Sequence, residues 1–159
     1  MDVHFTTNSV AETLEIGRRL GARLPTKAIV LLRGAMGAGK THFAKGLFLG
    51  VGGDDTDRIV SPTYTLVDAH TLANGRPFFH IDLYRLEQVD ALVAMELSEY
   101  FFFDQGLTVV EWPRDLVDAM GLEDYVLVDM TLGGTSTQRE IILSGHGPTV
   151  DTVVRELAT

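Results

Sequence analysis

Eight consecutive residues, Gly34-Ala35-Met36-Gly37-Ala38-Gly39-Lys40-Thr41, fit the pattern G-x-x-x-x-G-K-[ST] at every fixed position. The chemistry that calls for these residue types at this spacing is the gripping of a polyphosphate. Glycines let the backbone wrap closely, so that successive N–H groups point inward at phosphate oxygens. A helix opening at the end of the loop adds the positive end of its dipole. Lys40 would neutralise the β and γ oxygens, and the Thr41 hydroxyl would bind Mg²⁺. His42, the next residue, is read with the loop as part of the nucleotide-binding segment.

A loop of this kind needs an acid at the end of a neighbouring strand, to hold the metal or to orient water. Two runs offer one: "FFHID" ends in Asp82 and "LTVVE" ends in Glu111. Lys40, Asp82 and Glu111 are the candidate catalytic residues. Which of the two acids ligates the metal stays open at this level. Trp112 follows Glu111 and is the sole tryptophan; if Glu111 lies at the metal, Trp112 lies at the nucleotide. "SPTYT" (Ser61 to Thr65) offers hydroxyls stiffened by Pro62, and Thr63 is its candidate contact to a γ-phosphate in a switch loop. The five histidines show no metal-ligand spacing; His80 stands apart because it alternates with Asp82 on one strand face. Thr135, Ser136 and Thr137 read as turn residues.

The base is read from an absence. Guanine-specific loop proteins carry Asn-Lys-x-Asp, whereas the two asparagines here, Asn8 and Asn74, do not precede lysine. ATP is the expected nucleotide, with ADP as product.

Several elements must position these groups. Ser9 to Leu24 reads as a helix, with Ser9 as cap, Glu12 completing a capping box, and Val10, Leu14, Gly17 and Leu20 on one face. The apolar run "AIVLLR" (Ala28 to Arg33) suits a strand buried on both faces, and Lys40 to about Val51 a helix stopped by Gly52 and Gly53. "YTLVDAHT" and "PFFHIDLY" flank an Asn-Gly turn and predict a hairpin. Gln88 to Phe103 carries a helical stripe, "LTVVEW", "DYVLVDMTL" and "REIILSG" read as strands, and Val150, Val153, Val154 and Leu157 mark a terminal amphipathic helix. The fold class expected is α/β: a three-layer P-loop NTPase-like domain with a mixed central sheet flanked by helices. Residues 1–159 read as a single such domain.

Composition bounds the function. The 159 residues carry a net charge of −9 and three lysines, Lys27, Lys40 and Lys45, a poor endowment for gripping nucleic acid directly. There is no cysteine, which excludes disulfides and thiolate zinc sites. The N-terminus does not read as a signal peptide, and no apolar run approaches the roughly 18 residues of a membrane span. A cytoplasmic protein without membrane association is expected.

Taken in order, "GAMGAGKTHFAKGL", "SPTYTLV", "HIDLYRL" and "VVEWP" resemble the TsaE (YjeE) family, the P-loop ATPases of bacterial tRNA threonylcarbamoyladenosine biosynthesis. The resemblance covers nearly the whole chain and is densest from Gly34 to Pro113. It implies ATP and Mg²⁺ at Gly34 to Thr41, metal ligation by Thr41 and Glu111, a supporting role for Asp82, and a switch at Ser61 to Thr65. It also implies weak intrinsic hydrolysis, raised by the partner proteins TsaB and TsaD, which resets that pair between rounds of modification at adenosine 37; tRNA is met only through the complex. The family commonly has Asp-Leu where this chain has Ala35-Met36, so a carboxylate near the phosphates is missing. Two other readings stand beside it: a small-molecule kinase, for which no arginine-rich lid segment is visible among ten scattered arginines, and a nucleotide-gated interaction module with incidental hydrolysis.

Overall fold

The computed structural model describes residues 2–56, 59 and 67–158. Its strands are β1 (Asp2–Thr7), β2 (Lys27–Gly34), β3 (Val67–Thr71), β4 (Pro77–Asp82), β5 (Gly106–Glu111), β6 (Tyr125–Leu132) and β7 (Arg139–His146). The helices are α1 (Val10–Arg23), α2 (Lys40–Gly50), α3 (Ala91–Leu97), α4 (Leu116–Met120) and α5 (Pro148–Glu156). The strands form one sheet in the order β1-β7-β6-β2-β5-β4-β3. The central pairs β2–β5, β2–β6 and β4–β5 are parallel, and the outer pairs β1–β7, β6–β7 and β3–β4 are antiparallel. The expected α/β class with a mixed sheet flanked by helices is what the chain adopts.

The apolar run of β2 explains the layering. Ala28, Val30 and Leu32 enter one core with Phe43, Leu47 and Phe48 of α2, Leu20 of α1 and Val154 of α5. Ile29 and Leu31, pointing the other way, enter a second core with Leu97 of α3 and Leu116 of α4. A strand covered on both faces has no use for polar alternation, hence the continuous hydrophobic reading.

Helix α1 begins as expected at Ser9, whose hydroxyl accepts the Glu12 N–H at 3.1 Å. The reciprocal bond of the capping box lands one residue earlier, on the N–H of Asn8 at 2.6 Å. The buried face differs from the expected one. Thr13, Ile16, Gly17, Leu20 and Gly21 are buried, whereas Val10 is 54% exposed. Glycine is the reason. Gly17 and Gly21 on α1 meet Gly46 and Gly50 on α2 so closely that a Cβ on Gly46 would lie 2.2 Å from the carbonyl oxygen of Leu14, and one on Gly50 2.3 Å from that of Arg18. Backbone-to-backbone packing replaces side-chain packing along this seam.

Three further elements depart from the sequence reading. Strand β1 has only Val3 and Thr7 buried, too sparse a pattern to see in the sequence, and it forms because β7 offers an open edge. The helix expected over Gln88 to Phe103 is shortened at the front by Asp90, whose carboxylate caps it by accepting the Val93 N–H at 2.9 Å, and tightens into a 3₁₀ turn at Ser98–Tyr100. Helix α4, not expected, is a five-residue turn closed by Gly121 at φ 62°. The β3–β4 hairpin closes as the Asn-Gly signal predicts, the Leu72 N–H bonding the Arg76 carbonyl at 2.8 Å. The start of the expected first hairpin strand, Tyr64 to Leu66, lies outside the described residues.

Candidate functional site

The phosphate-type loop leaves the carboxyl end of β2, the central parallel strand, and runs straight into α2. Crevices at the carboxyl ends of parallel strands are where open α/β sheets place ligands. Gly37 and Gly39 have φ of 82° and 102°, a region L-residues with side chains seldom enter, and Gly39 is the residue that caps α2. Ala38 is fully buried beneath the loop and donates its N–H to the Ala35 carbonyl at 3.1 Å.

Lys40 is almost wholly buried. Its ammonium donates to the carbonyls of Gly34 at 2.7 Å and Ala35 at 2.8 Å, and lies 4.3 Å from the centroid of the Trp112 ring. Burial draws its pKa below the ordinary lysine value, while the charges of Glu111 and Asp82 oppose that pull.

Strand register brings the acids together. Glu111 is the register partner of Leu32 on β2 and of Asp82 on β4. The Thr41 hydroxyl donates to the Glu111 carboxylate, 3.1 Å from Oε1 and 3.2 Å from Oε2. Beneath them His80, fully buried, places Nε2 at 2.6 Å from Glu111 Oε2. Asp82 accepts the Tyr84 N–H at 2.9 Å; burial raises its carboxyl above the usual aspartate value, the Tyr84 bond works against this, and the Glu111 charge adds to the rise.

Except for His80, the side chains of these groups share a cavity of about 430 Å³. Met36, Gly37, Gly39, Lys40, Thr41 and His42 of the loop and α2 line it together with Asp82, Tyr84, Glu111 and Trp112. The other wall comes from Ser9, Val10 and Thr13 at the start of α1 and from Ser136, Thr137 and Arg139 at the β6–β7 connection. Arg139 donates to the Gly37 carbonyl at 3.1 Å, tying that connection to the loop.

A model of the family described as threonylcarbamoyl adenosine biosynthesis protein TsaE matches residues 7–141. The chain belongs to the TsaE family. It is 41% identical to the tRNA threonylcarbamoyladenosine biosynthesis protein TsaE of Synechocystis sp. over 72% of each chain. It is 32% identical to the protein of that name from Bacillus subtilis, over 97% of this chain and 92% of the relative. Among solved structures, that of Bacillus subtilis YdiB superposes with a TM-score of 0.79 at 28% identity, covering 99% of this chain and 95% of that one. Proteins of this family are P-loop nucleotide-binding proteins.

The expected site residues therefore fall in three groups. Met36, Gly37, Gly39, Lys40, Thr41, His42, Asp82, Glu111 and Trp112 line one cavity. Gly34 and Ala35 do not line it but hold Lys40 through their carbonyls, and Ala38 packs into the core. Thr63, with the whole Ser61 to Thr65 segment, lies outside the described residues. The sequence reading missed the second wall. Ser9 read as a helix cap and Ser136 and Thr137 as turn residues, and Arg139 carried no signal, because only the sheet order sets the β6–β7 connection beside the loop. Arg85 is exposed and does not line the cavity.

The donor set fits a magnesium ion. Thr41 and Glu111 supply hard oxygen ligands, and Mg²⁺ at nucleotide sites takes one or two protein oxygens, with phosphate and water completing its shell. Among the described residues no cluster of three or more His, Cys, Asp or Glu could hold a metal ion.

Proposed function

We propose that this protein is the ATP-binding, weakly hydrolysing component of tRNA threonylcarbamoyladenosine formation at adenosine 37, acting in the cytoplasm on a TsaB–TsaD pair and resetting it between turnovers. The observation that carries the nucleotide reading is the contact of the Thr41 hydroxyl with Glu111 at 3.1 Å, beside the buried ammonium of Lys40. The biosynthetic setting is carried by the family and by the names of its relatives. No helix of the described residues is long and apolar enough to cross a membrane.

In this reading the loop amides and the N-terminus of α2 receive the β- and γ-phosphates. Lys40 exchanges the carbonyls of Gly34 and Ala35 for phosphate oxygens, a stronger charge-assisted pairing. Thr41 and Glu111 would hold Mg²⁺, which when bound would neutralise charge developing in the transition state. Asp82, beside Glu111 and with a raised pKa, orients and deprotonates the attacking water; such a general base is worth about 10²–10⁴ in rate. The loop lacks the carboxylate that Asp would supply at position 35, so grip depends on backbone amides and Lys40. A transition-state arginine supplied or ordered by a partner raises rates in related enzymes by about 10³–10⁵, which accounts for slow hydrolysis in isolation. The acidic, lysine-poor chain suits docking on proteins rather than on tRNA.

The test is an ATPase assay with and without the TsaB–TsaD pair, scored in parallel by modified adenosine in tRNA. Stimulated ADP release together with repeated rounds of modification is expected. Unstimulated turnover with normal modification would overturn the reset role, and calorimetry showing no ATP binding would overturn the nucleotide reading itself.

A further inference from the structure

We infer that His80 is a positioning residue, holding the Glu111 carboxylate in the orientation in which it can bind the cation of a magnesium–nucleotide complex. The inference rests on the nucleotide reading above and names a residue outside the cavity wall.

His80 has no exposed surface, and its Nε2 lies 2.6 Å from Glu111 Oε2. Its other ring nitrogen, Nδ1, is buried with no hydrogen-bond partner among the described residues. Two nearby features show what an apolar residue would do here. Phe78, two residues earlier on the same strand face, is equally buried and packs edge-on to Phe48 at 4.9 Å. Val109, the register partner of His80 on β5, is likewise buried. If position 80 served packing alone, an apolar side chain would avoid burying a nitrogen that nothing satisfies. The imidazole therefore has a purpose at its other end, and Glu111 is what it meets there. An ionised carboxylate can only accept, so the ring nitrogen that faces it, Nε2, carries the proton and donates to Glu111.

The consequence for Glu111 is geometric. A glutamate side chain has three rotatable torsions, and losing that freedom on ligand binding weakens the binding. Glu111 is already held from below by His80 and from the α2 side by Thr41. With Oε2 engaged by His80, the carboxylate is oriented before the ion arrives, as partners of ligating groups commonly do, and loss of such partners typically weakens metal affinity by about 10–100-fold.

Three substitutions separate orientation from packing. Gln can place its amide nitrogen close to where Nε2 stands and keep donating; Asn is as polar but too short; Leu packs without a donor. Affinity for a non-hydrolysable ATP analogue is measured by calorimetry, first in chelator and then across a Mg²⁺ titration, with thermal melting alongside. In chelator, parent and variants bind alike. Across the titration, the Mg²⁺ midpoint rises by about 10–100-fold for His80→Leu and His80→Asn, while His80→Gln stays within a few-fold of the parent. A His80→Leu midpoint equal to the parent's would reduce the residue to packing and overturn the inference. Should His80→Leu fail to fold, Gln against Asn decides, equal midpoints for those two being the overturning result. Parent protein that fails to bind the analogue at all would overturn the nucleotide reading instead, and that outcome is visible before any variant is made.

Discussion

The ammonium of Lys40 lies against the ring face of Trp112, 4.3 Å from its centroid, while donating to the backbone of its own loop. An indole in contact with a buried cation reports on that cation's position. The guanidinium of Arg114, 5.3 Å from the same ring, and Tyr84, with its ring centroid 5.0 Å away, complete the surroundings. In the proposed reading, phosphates arriving in the loop would draw Lys40 off the indole. Trp112 emission is therefore expected to change on ATP addition and to saturate with the calorimetric isotherm. Lys40→Met removes both the cation and the charge-assisted bonds to phosphate, weakening ATP binding by about 10–100-fold. An isotherm within two-fold of the parent's would place the phosphates elsewhere.

The depressed Lys40 pKa gives nucleotide binding a pH dependence. Bound phosphates favour the charged ammonium, so affinity is full while Lys40 is protonated in the free protein and falls as pH climbs through its pKa. Because burial lowers that pKa, the decline begins below the ordinary lysine range. Calorimetry from pH 7 upward should show affinity lost earlier than lysine's unperturbed titration near pH 10.4 predicts, and Lys40→Met should flatten the curve.

Burial of Asp82 gives the stability of the fold a pH dependence. Its carboxyl is raised in the folded protein, chiefly by burial, so the fold binds this proton more tightly than the unfolded chain does. The associated stabilisation is present at acid pH and is lost as pH rises through the raised pKa. Asp82→Asn, which carries no charge to bury, should melt higher than the parent at pH 7.5, by a margin that shrinks toward pH 4. The same variant should hydrolyse ATP about 10²–10⁴-fold more slowly. Undiminished turnover would remove Asp82 from the chemistry.

Gly46→Ala tests the α1–α2 seam. The added Cβ would sit 2.2 Å from the Leu14 carbonyl oxygen, a backbone atom that cannot swing aside. Overpacking of this kind costs about 1–3 kcal/mol, or a melting temperature lower by about 2–12 °C for a chain of this size. Melting within a degree of the parent's would show that the helices can part.

What the sequence disclosed and withheld has a physical pattern. The loop, α2, Lys40 and Thr41 were legible because polyphosphate binding fixes both residue type and spacing within one contiguous segment. Asp82 and Glu111 were legible singly, as acids at the ends of apolar runs. Their adjacency was not, since it depends on β4 and β5 lying side by side in a common register. Arg139 reaches the loop, and Ser136 the cavity, only because β6 neighbours β2, and nothing local to those residues announces it. The bond from His80 to Glu111 spans two strands; the sequence showed only that His80 shares a face with Asp82.

The meeting of Gly17 and Gly21 with Gly46 and Gly50 has a mechanical outcome. With the backbones in direct contact, rolling one helix against the other would drive backbone atoms together. Helix α2 starts at the loop and α1 starts across the cavity at Ser9, so a tilt imposed on one would be passed to the other. A protein gripping the outer surface of α1 would thereby act on the phosphate end of the cavity without entering it.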